Sequence, residues 1–307
     1  PLGNTSRTNP FDKLQLMADI FKPPEIKYKD LEAVITTKLS FNVLPFSWRT
    51  DFVRVTEDAV LTPVTILLRN KDLSWQDQDG VHSFTGHVLI KVTNVNGRPA
   101  PNGTVEDSIE QRIPDSLFKQ QLDGVSLYQK IIPLRPGLYK IDIVLKDMNS
   151  GNVGVVNHNL PVPRYPDEKL TLSSLILADR VESVPPTQVG TGPFILGANK
   201  VRPSVDSEFL RSRDKEVNLW FQVYNLKLDE ATKKPSASVE LVFTKNNQEV
   251  KKIVEESAEF SNAAAQMTII KSLPLSDFEP GQYSVQVRVT DNLTKDVIAS
   301  KDNFTVR

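Results

Sequence analysis

The sequence predicts an all-β protein: two immunoglobulin- or fibronectin-III-like β-sandwiches in tandem, preceded by a short helix. Three observations predict it. Runs of β-forming residues recur at roughly 8–12-residue spacing with tight-turn dipeptides between them. Pro136-Gly137-Leu138-Tyr139 recurs as Pro280-Gly281-Gln282-Tyr283, 144 positions later. Three prolines in Pro161-Val162-Pro163-Arg164-Tyr165-Pro166 read as a stiff connector, because proline has no place in a central strand. The length of 307 residues agrees, at about 150 residues per domain. The expected division is 1–25 as linker and docking helix, 26–163 as the first sandwich and 164–307 as the second.

Pro1 to Thr8 is polar and irregular, a frayed start. Asn9 is a suitable N-cap and Pro10 suits the first helical position. Phe11, Leu14, Ala18 and Phe21 then share one face, until Pro23-Pro24 stops the helix. A helix this short needs a surface to dock on. From about Ile26 the pattern turns strand-like: Val34-Ile35-Thr36-Thr37, Leu39 to Val43, and Thr50 to Val55, which alternates polar and apolar. Val60–Leu68 and Gly86–Val95 continue the series, Asn96-Gly97 and Asn102-Gly103 read as tight turns, and one helix interrupts around Pro114–Leu122.

The repeat extends beyond the Pro-Gly turn. Ile141, Ile143, Leu145 and Asp147 match Val285, Val287, Val289 and Asp291, and Leu160-Pro161-Val162 matches Phe304-Thr305-Val306. A looser echo pairs Val64–Asn70 with Leu219–Asn225. Two long copies mean tandem domains rather than a solenoid. A Pro-Gly turn leading to Tyr and alternating apolar residues resembles the tyrosine corner of immunoglobulin-like sandwiches. Tyr139 and Tyr283 are therefore expected to hydrogen-bond nearby backbone. Pro185–Pro203, rich in Pro and Gly, reads as a long loop inside the second unit and a candidate binding feature.

Chemistry is scarce. Lys+Arg number 37 and Asp+Glu 38, so the net charge of −1 gives no broad basic face for nucleic acid. Cysteine is absent, which removes thiolate ligands and nucleophiles. No apolar run approaches the roughly 18 residues of a membrane helix, and residues 1–20 lack a signal-peptide pattern. His82 and His87 are an odd number of residues apart, which puts them on opposite faces of one strand. His158 stands apart from both. Asp77-Gln78-Asp79-Gly80 fails as an EF-hand: with Gly80 at position six, Trp75 and Gly86 fall where carboxylates are required. Asp147–Gly151 and Asp291–Lys295 occupy equivalent places, and their side chains suit hairpin turns better than calcium. Gly190-Thr191-Gly192 lacks a Walker lysine and a βαβ context. Neither a G-x-S-x-G elbow nor an H-E-x-x-H motif occurs. Among Trp48, Trp75 and Trp220, Trp220 lies in an apolar run and reads as core. Trp75 lies in a polar loop, where it is either a lid over the sandwich end or, with Asp77 and Asp79, a binding loop.

Lys22–Val34, Leu134–Tyr139 with Asp147–Gly154, and Ser173–Asp179 together resemble the C-terminal region of bacterial GWxTD-domain proteins, common in Acidobacteria. The resemblance covers nearly the whole chain, and Asn9-Pro10-Phe11-Asp12 is similar to the junction that follows the GWxTD domain. No Gly-Trp-x-Thr-Asp string occurs here, so the chain is similar to the downstream region only, as a fragment or processed form would be. The resemblance carries no activity and implies export, hence a periplasmic or cell-surface location. The expectation is a non-catalytic structural or interaction module without cofactor, metal, nucleic acid or membrane insertion. Its partners are other protein chains, further copies of itself, or an upstream domain of the same precursor. The alternative is a carbohydrate-binding appendage using Trp75 and the 185–203 loop.

Overall fold

The computed structural model describes residues 26–37, 43–190 and 192–307. The expected docking helix over Asn9–Phe21 and most of the strand expected over Leu39–Val43 lie outside them. The first part of the chain runs α1 (Lys29–Thr37), β1 (Ser47–Thr50), β2 (Val53–Thr56), β3 (Ala59–Arg69), β4 (Gln76–Gln78), β5 (Val81–Asn94), β6 (Pro99–Pro114), α2 (Asp115–Leu122), β7 (Val125–Leu134), β8 (Gly137–Asp147) and β9 (Val153–Val162). The second runs β10 (Thr171–Leu172), β11 (Ile176–Ser183), β12 (Ile195–Leu196), β13 (Asn199–Pro203), β14 (Glu208–Phe209), β15 (Glu216–Tyr224), β16 (Ala237–Lys245), β17 (Gln248–Glu256), β18 (Met267–Pro274), β19 (Gly281–Asp291) and β20 (Val297–Val306). The protein is all-β with short helices.

Four sheets form. Sheet A holds β1, β2, β3 and β7, and sheet B holds β4, β5, β6, β8 and β9. Sheet C is built from β10, β11, β12, β13, β15 and β18, sheet D from β14, β16, β17, β19 and β20. Among the described residues, no sheet mixes strands from before and after the proline-rich connector. The last two strands of each sandwich superpose the repeat on the fold: Gly137–Asp147 and Val153–Val162 correspond to Gly281–Asp291 and Val297–Val306, each 144 positions on.

Val60, Val64, Ile66 and Leu68 of β3 face Ile90, Ile141 and Ile143 of sheet B, while Val217, Leu219, Phe221 and Val223 of β15 face Val239, Val285 and Val287 of sheet D. The alternate residues of these central strands are buried too. On the other face of sheet C, Ile176, Ala178, Leu196, Val201 and Trp220 meet Val53, Leu61 and Ile131 of sheet A. The stack therefore runs α1, B, A, C, D. β3 and β15, the strands of the looser echo, each lie inside two apolar layers, which is why both read as nearly continuous apolar runs.

The outermost faces of the two sandwiches differ at a central cross-strand pair. On sheet B, Leu89 stands opposite Val144. The corresponding pair on sheet D is Glu240 opposite Arg288, an ion pair at 3.5 Å. The apolar pair needs a cover and the charged pair needs none. Leu31 of α1 supplies the cover. Ion pairs Lys146–Asp30 (2.6 Å) and Lys91–Glu32 (2.9 Å) flank it, and Tyr28 stacks on His87.

Three local expectations are corrected. Val34-Ile35-Thr36-Thr37 is the end of α1 rather than a strand. Burial of Leu31 outweighs the β-propensity of four branched residues, and Thr36 and Thr37 donate to the carbonyls of Glu32 and Ala33. Thr50–Val55 is two strands rather than one. The Pro63 carbonyl accepts from the Asp51 N–H, but proline has no N–H to return, so the ladder of β3 breaks there. Asn102-Gly103 is a bulge within β6 rather than a turn: Asn102 has φ of 56°, and a Cβ on Gly103 would stand 2.8 Å from the Val92 carbonyl. The proline-rich connector packs against both halves: Tyr165 is buried against the first sandwich and Tyr224, and its hydroxyl donates to the Phe52 carbonyl (3.2 Å).

The repeated hairpin places Gly151 and Lys295 in the left-handed region, with φ of 79° and 68°. Lysine is strained there by about 1–2 kcal/mol, partly offset by the unfolded-state freedom of glycine. Lys295→Gly should raise stability by up to about 1 kcal/mol, seen as a higher denaturation midpoint. Gly151→Lys should lower it.

Candidate functional site

Trp75 is half-buried over the end of the first sandwich, between Phe84 and Phe118. Its indole N–H donates to the Asn70 carbonyl (2.9 Å). Asn70 is itself fixed, donating to Gln121 and accepting from Ser126. Asp77 and Asp79 lie exposed on the β4–β5 hairpin, where Asp79 and Gly80 take φ of 53° and 76°. That is the turn chemistry of a two-residue hairpin loop. The three residues are neighbours in sequence, but the indole is turned inward against aromatic rings and the carboxylates outward.

The two tyrosines behave differently. The Tyr283 hydroxyl donates to the Glu279 carbonyl at 2.8 Å, and its ring stacks on Phe304. A 3₁₀ turn, Leu275–Asp277, ends β18 and brings that carbonyl back over the ring. Tyr139 is half-buried with its ring over Gly137, and its hydroxyl finds no hydrogen-bond partner among the described residues. Here β7 runs straight on to Leu134, with no turn to present a carbonyl.

Asp147 and Asp291 are both buried and identically employed. Asp147 Oδ1 accepts from the backbone N–H of Asn149 (2.8 Å) and Ser150 (3.2 Å), and Oδ2 from Ser74 (2.9 Å). Asp291 Oδ1 accepts from Leu293 (2.9 Å) and Thr294 (3.2 Å), and Oδ2 from Lys227 (2.7 Å). Each carboxylate closes its hairpin turn and ties it to the loop after the central strand. The histidines are dispersed: His82 stacks on Phe118 beside Asp115, His87 on Tyr28, and His158 meets Trp48 edge-on. Among the described residues, no group of three or more His, Asp or Glu is placed to hold a metal ion. No described helix is long and apolar enough to cross a membrane.

The 185–203 segment is partly a hairpin. β12 and β13 extend sheet C, and Leu196 and Val201 enter the apolar layer between the sandwiches. The Phe194 N–H donates to Gln129 Oε1 of β7 (2.6 Å). The segment binds the first sandwich of its own chain.

Polar contacts reinforce that junction. Arg49 grips Asp51 through two hydrogen bonds (2.9 and 2.7 Å), donates to the Leu175 carbonyl and lies 3.8 Å from Asp302. Burial pushes the Asp302 carboxyl up, and Arg49 opposes it. The Arg54 guanidinium reaches Asn225 (2.8 Å) and Asp167, and the Arg54 backbone N–H donates to the Tyr224 hydroxyl. No sequence pattern marks these arginines.

Two cavities flank Asp179 of β11. One, of about 260 Å³, lies between the sandwiches and includes Arg69, Asp206, Arg213 and Arg307. The other, of about 510 Å³, includes Arg202, Asp214 and Asn218. Asp179 Oδ1 is buried without a hydrogen-bond partner, and Arg202 Nε stands 3.2 Å from Oδ2 without being aligned to donate. Burial raises this carboxyl to about 6, against the attraction of Arg202 and with the help of Asp214. The folded state thus holds its proton more tightly than the unfolded chain. The stability this contributes is complete below pH about 4 and lost as pH rises through about 6. Asp179→Asn should match or exceed the parent's stability at pH 7 and flatten the decline between pH 4 and 6. Denaturant midpoints across that range test this; a variant weaker at pH 7 with an unchanged slope would refute it.

No protein-family model matches the sequence, and no curated protein matches it either. Among solved structures, the chain is similar to the crystal structure of the β-glucuronidase of Parabacteroides merdae, at 12% identity and a TM-score of 0.25. The match covers 83% of this chain and 29% of that one, so the chain spans less than a third of that enzyme's length.

Proposed function

We propose that this chain is a non-catalytic structural and interaction module of a bacterial cell-envelope or surface protein, acting through protein–protein contacts. The observation that carries the reading is a fused block of two sandwiches with open strand edges. The apolar layer and the Arg49 and Arg54 networks hold the halves together. Among the described residues, β7 pairs only with β3, and β17 only with β16. Val250 and Val254 stand exposed on β17. Such edges present unpaired backbone groups to a partner chain. Asp147, Asp291 and the three histidines are occupied with packing and turns. The resemblance to the region downstream of the GWxTD domain supports the envelope setting.

Cross-linking with mass spectrometry on the native source tests the reading. Links from Lys130, Lys251 or Lys252 to other envelope chains or to further copies are expected. Links confined to one chain would refute it.

A further inference from the structure

We propose that the cleft beside β7 receives an extended, uncharged peptide strand from a partner protein, which adds to the free edge of sheet A. This rests on the interaction-module reading and gives it a site. Sheet A ends at β7, whereas sheet C facing it continues through β13 to β12. The β12–β13 hairpin therefore projects past the edge of β7. A cleft of about 600 Å³ lies there, with Leu61, Leu127 and Ile131 on one side and Pro193, Phe194 and Ile195 on the other. Leu61 and Ile131 also belong to the apolar layer joining the sandwiches, so the cleft is the open end of an existing interface.

Three features select the occupant. Among the described residues the backbone of β7 has no second strand partner, and unpaired N–H and C=O groups along an edge match an extended chain. Phe194 is half-buried at φ of 64°, a costly conformation for a bulky residue. Gln129 Oε1 accepts its N–H and Val201 donates to its carbonyl (2.7 Å), holding it there. Strain of this kind collects where a side chain must be presented to a ligand. The charged groups on the wall, Lys130 and Asp107, pair with one another at 3.5 Å, and the Tyr128 hydroxyl donates to the same carboxylate (3.1 Å). With its charges matched internally, the cleft favours a segment with uncharged side chains. Pro133 has no N–H to give and ends the pairing, which leaves Val125–Ile132 as the receiving stretch. Alternate side chains of the added strand would contact Phe194 and Ile131.

The test uses the full chain and a displayed library of linear peptides of about twelve residues, with selected peptides measured by fluorescence anisotropy. Selected sequences should alternate apolar residues, and Phe194→Ala should weaken them about tenfold or more. N-methylation at alternate peptide positions should weaken binding to a similar degree, and at the intervening positions should not. This second measurement leaves the protein untouched. Phe194→Gly, which suits the left-handed backbone, repeats the loss if the alanine variant folds poorly. Failure to select any peptide, unchanged affinity in both variants, or N-methylation without alternation would overturn the proposal. So would self-association of the chain abolished by Phe194→Ala, since the occupant would then be a second copy. Cross-links to other chains that map away from β7 would remove this site and leave the module reading intact.

Discussion

Trp220→Ala should produce the largest loss of stability of any single truncation in the layer between the sandwiches. Trp220 has no exposed surface, lies against Ile176, Leu196 and Val201, and donates from its indole N–H to Asn199 Oδ1 (3.3 Å). Truncating a buried tryptophan costs about 3–5 kcal/mol, because transfer energy is lost and a cavity remains. The loss falls on the layer that joins the halves, so its form matters as much as its size. Parent protein should unfold in one transition, with both sandwiches reporting the same midpoint. The variant should unfold in two, because each sandwich keeps its own inner core. Calorimetry checks this directly. One transition shifted downward by less than 1 kcal/mol would mean that Trp220 does not couple the halves.

The second large effect concerns the repeated aspartates. Asp291→Ala removes the acceptor for three backbone N–H groups at a site 1% exposed. A buried donor left unpaired costs about 1–3 kcal/mol, so a total of about 3–5 kcal/mol is expected after some relaxation toward water. Asp291→Asn should lose less, because its amide oxygen still closes the turn while its NH₂ opposes the Lys227 N–H. Asp147→Ala should reproduce the effect in the first sandwich. Denaturant midpoints measure the size, and hydrogen exchange at Leu293, Thr294 and Lys227 locates it. Near-neutral alanine variants would show that these carboxylates are dispensable to the turns.

The two effects differ in how far they can be read from the chain. The Asp147 and Asp291 hairpins were legible because a turn is a local object. The same short string at the same repeat offset dictates the same backbone bonds. Trp220 was legible as buried, since it sits in an apolar run, but not as a residue of the junction. An apolar run two faces wide says that both faces are covered and leaves open by what. Tyr139 and Tyr283 mark the limit from the other side. Their local strings are alike, yet the carbonyl that Tyr283 meets depends on a 3₁₀ turn supplied by the preceding strand.

By itself, the sequence determined the all-β class, the two long repeats, the proline-rich connector, and the turn chemistry at Asn96-Gly97, Asp147 and Asp291. These follow from residue periodicity and from what single side chains do to their own backbone. Only the tertiary structure decided that Val34–Thr37 is helical, that Trp75 is turned inward, and that the 185–203 segment clasps the first sandwich. It alone brought Arg49 to Leu175 and Asp302, left Oδ1 of Asp179 without a hydrogen bond, and set Phe194 beside the open edge of β7. Each of these depends on contacts between residues far apart in the chain. Burial and pairing across such distances have no period and no spacing to read.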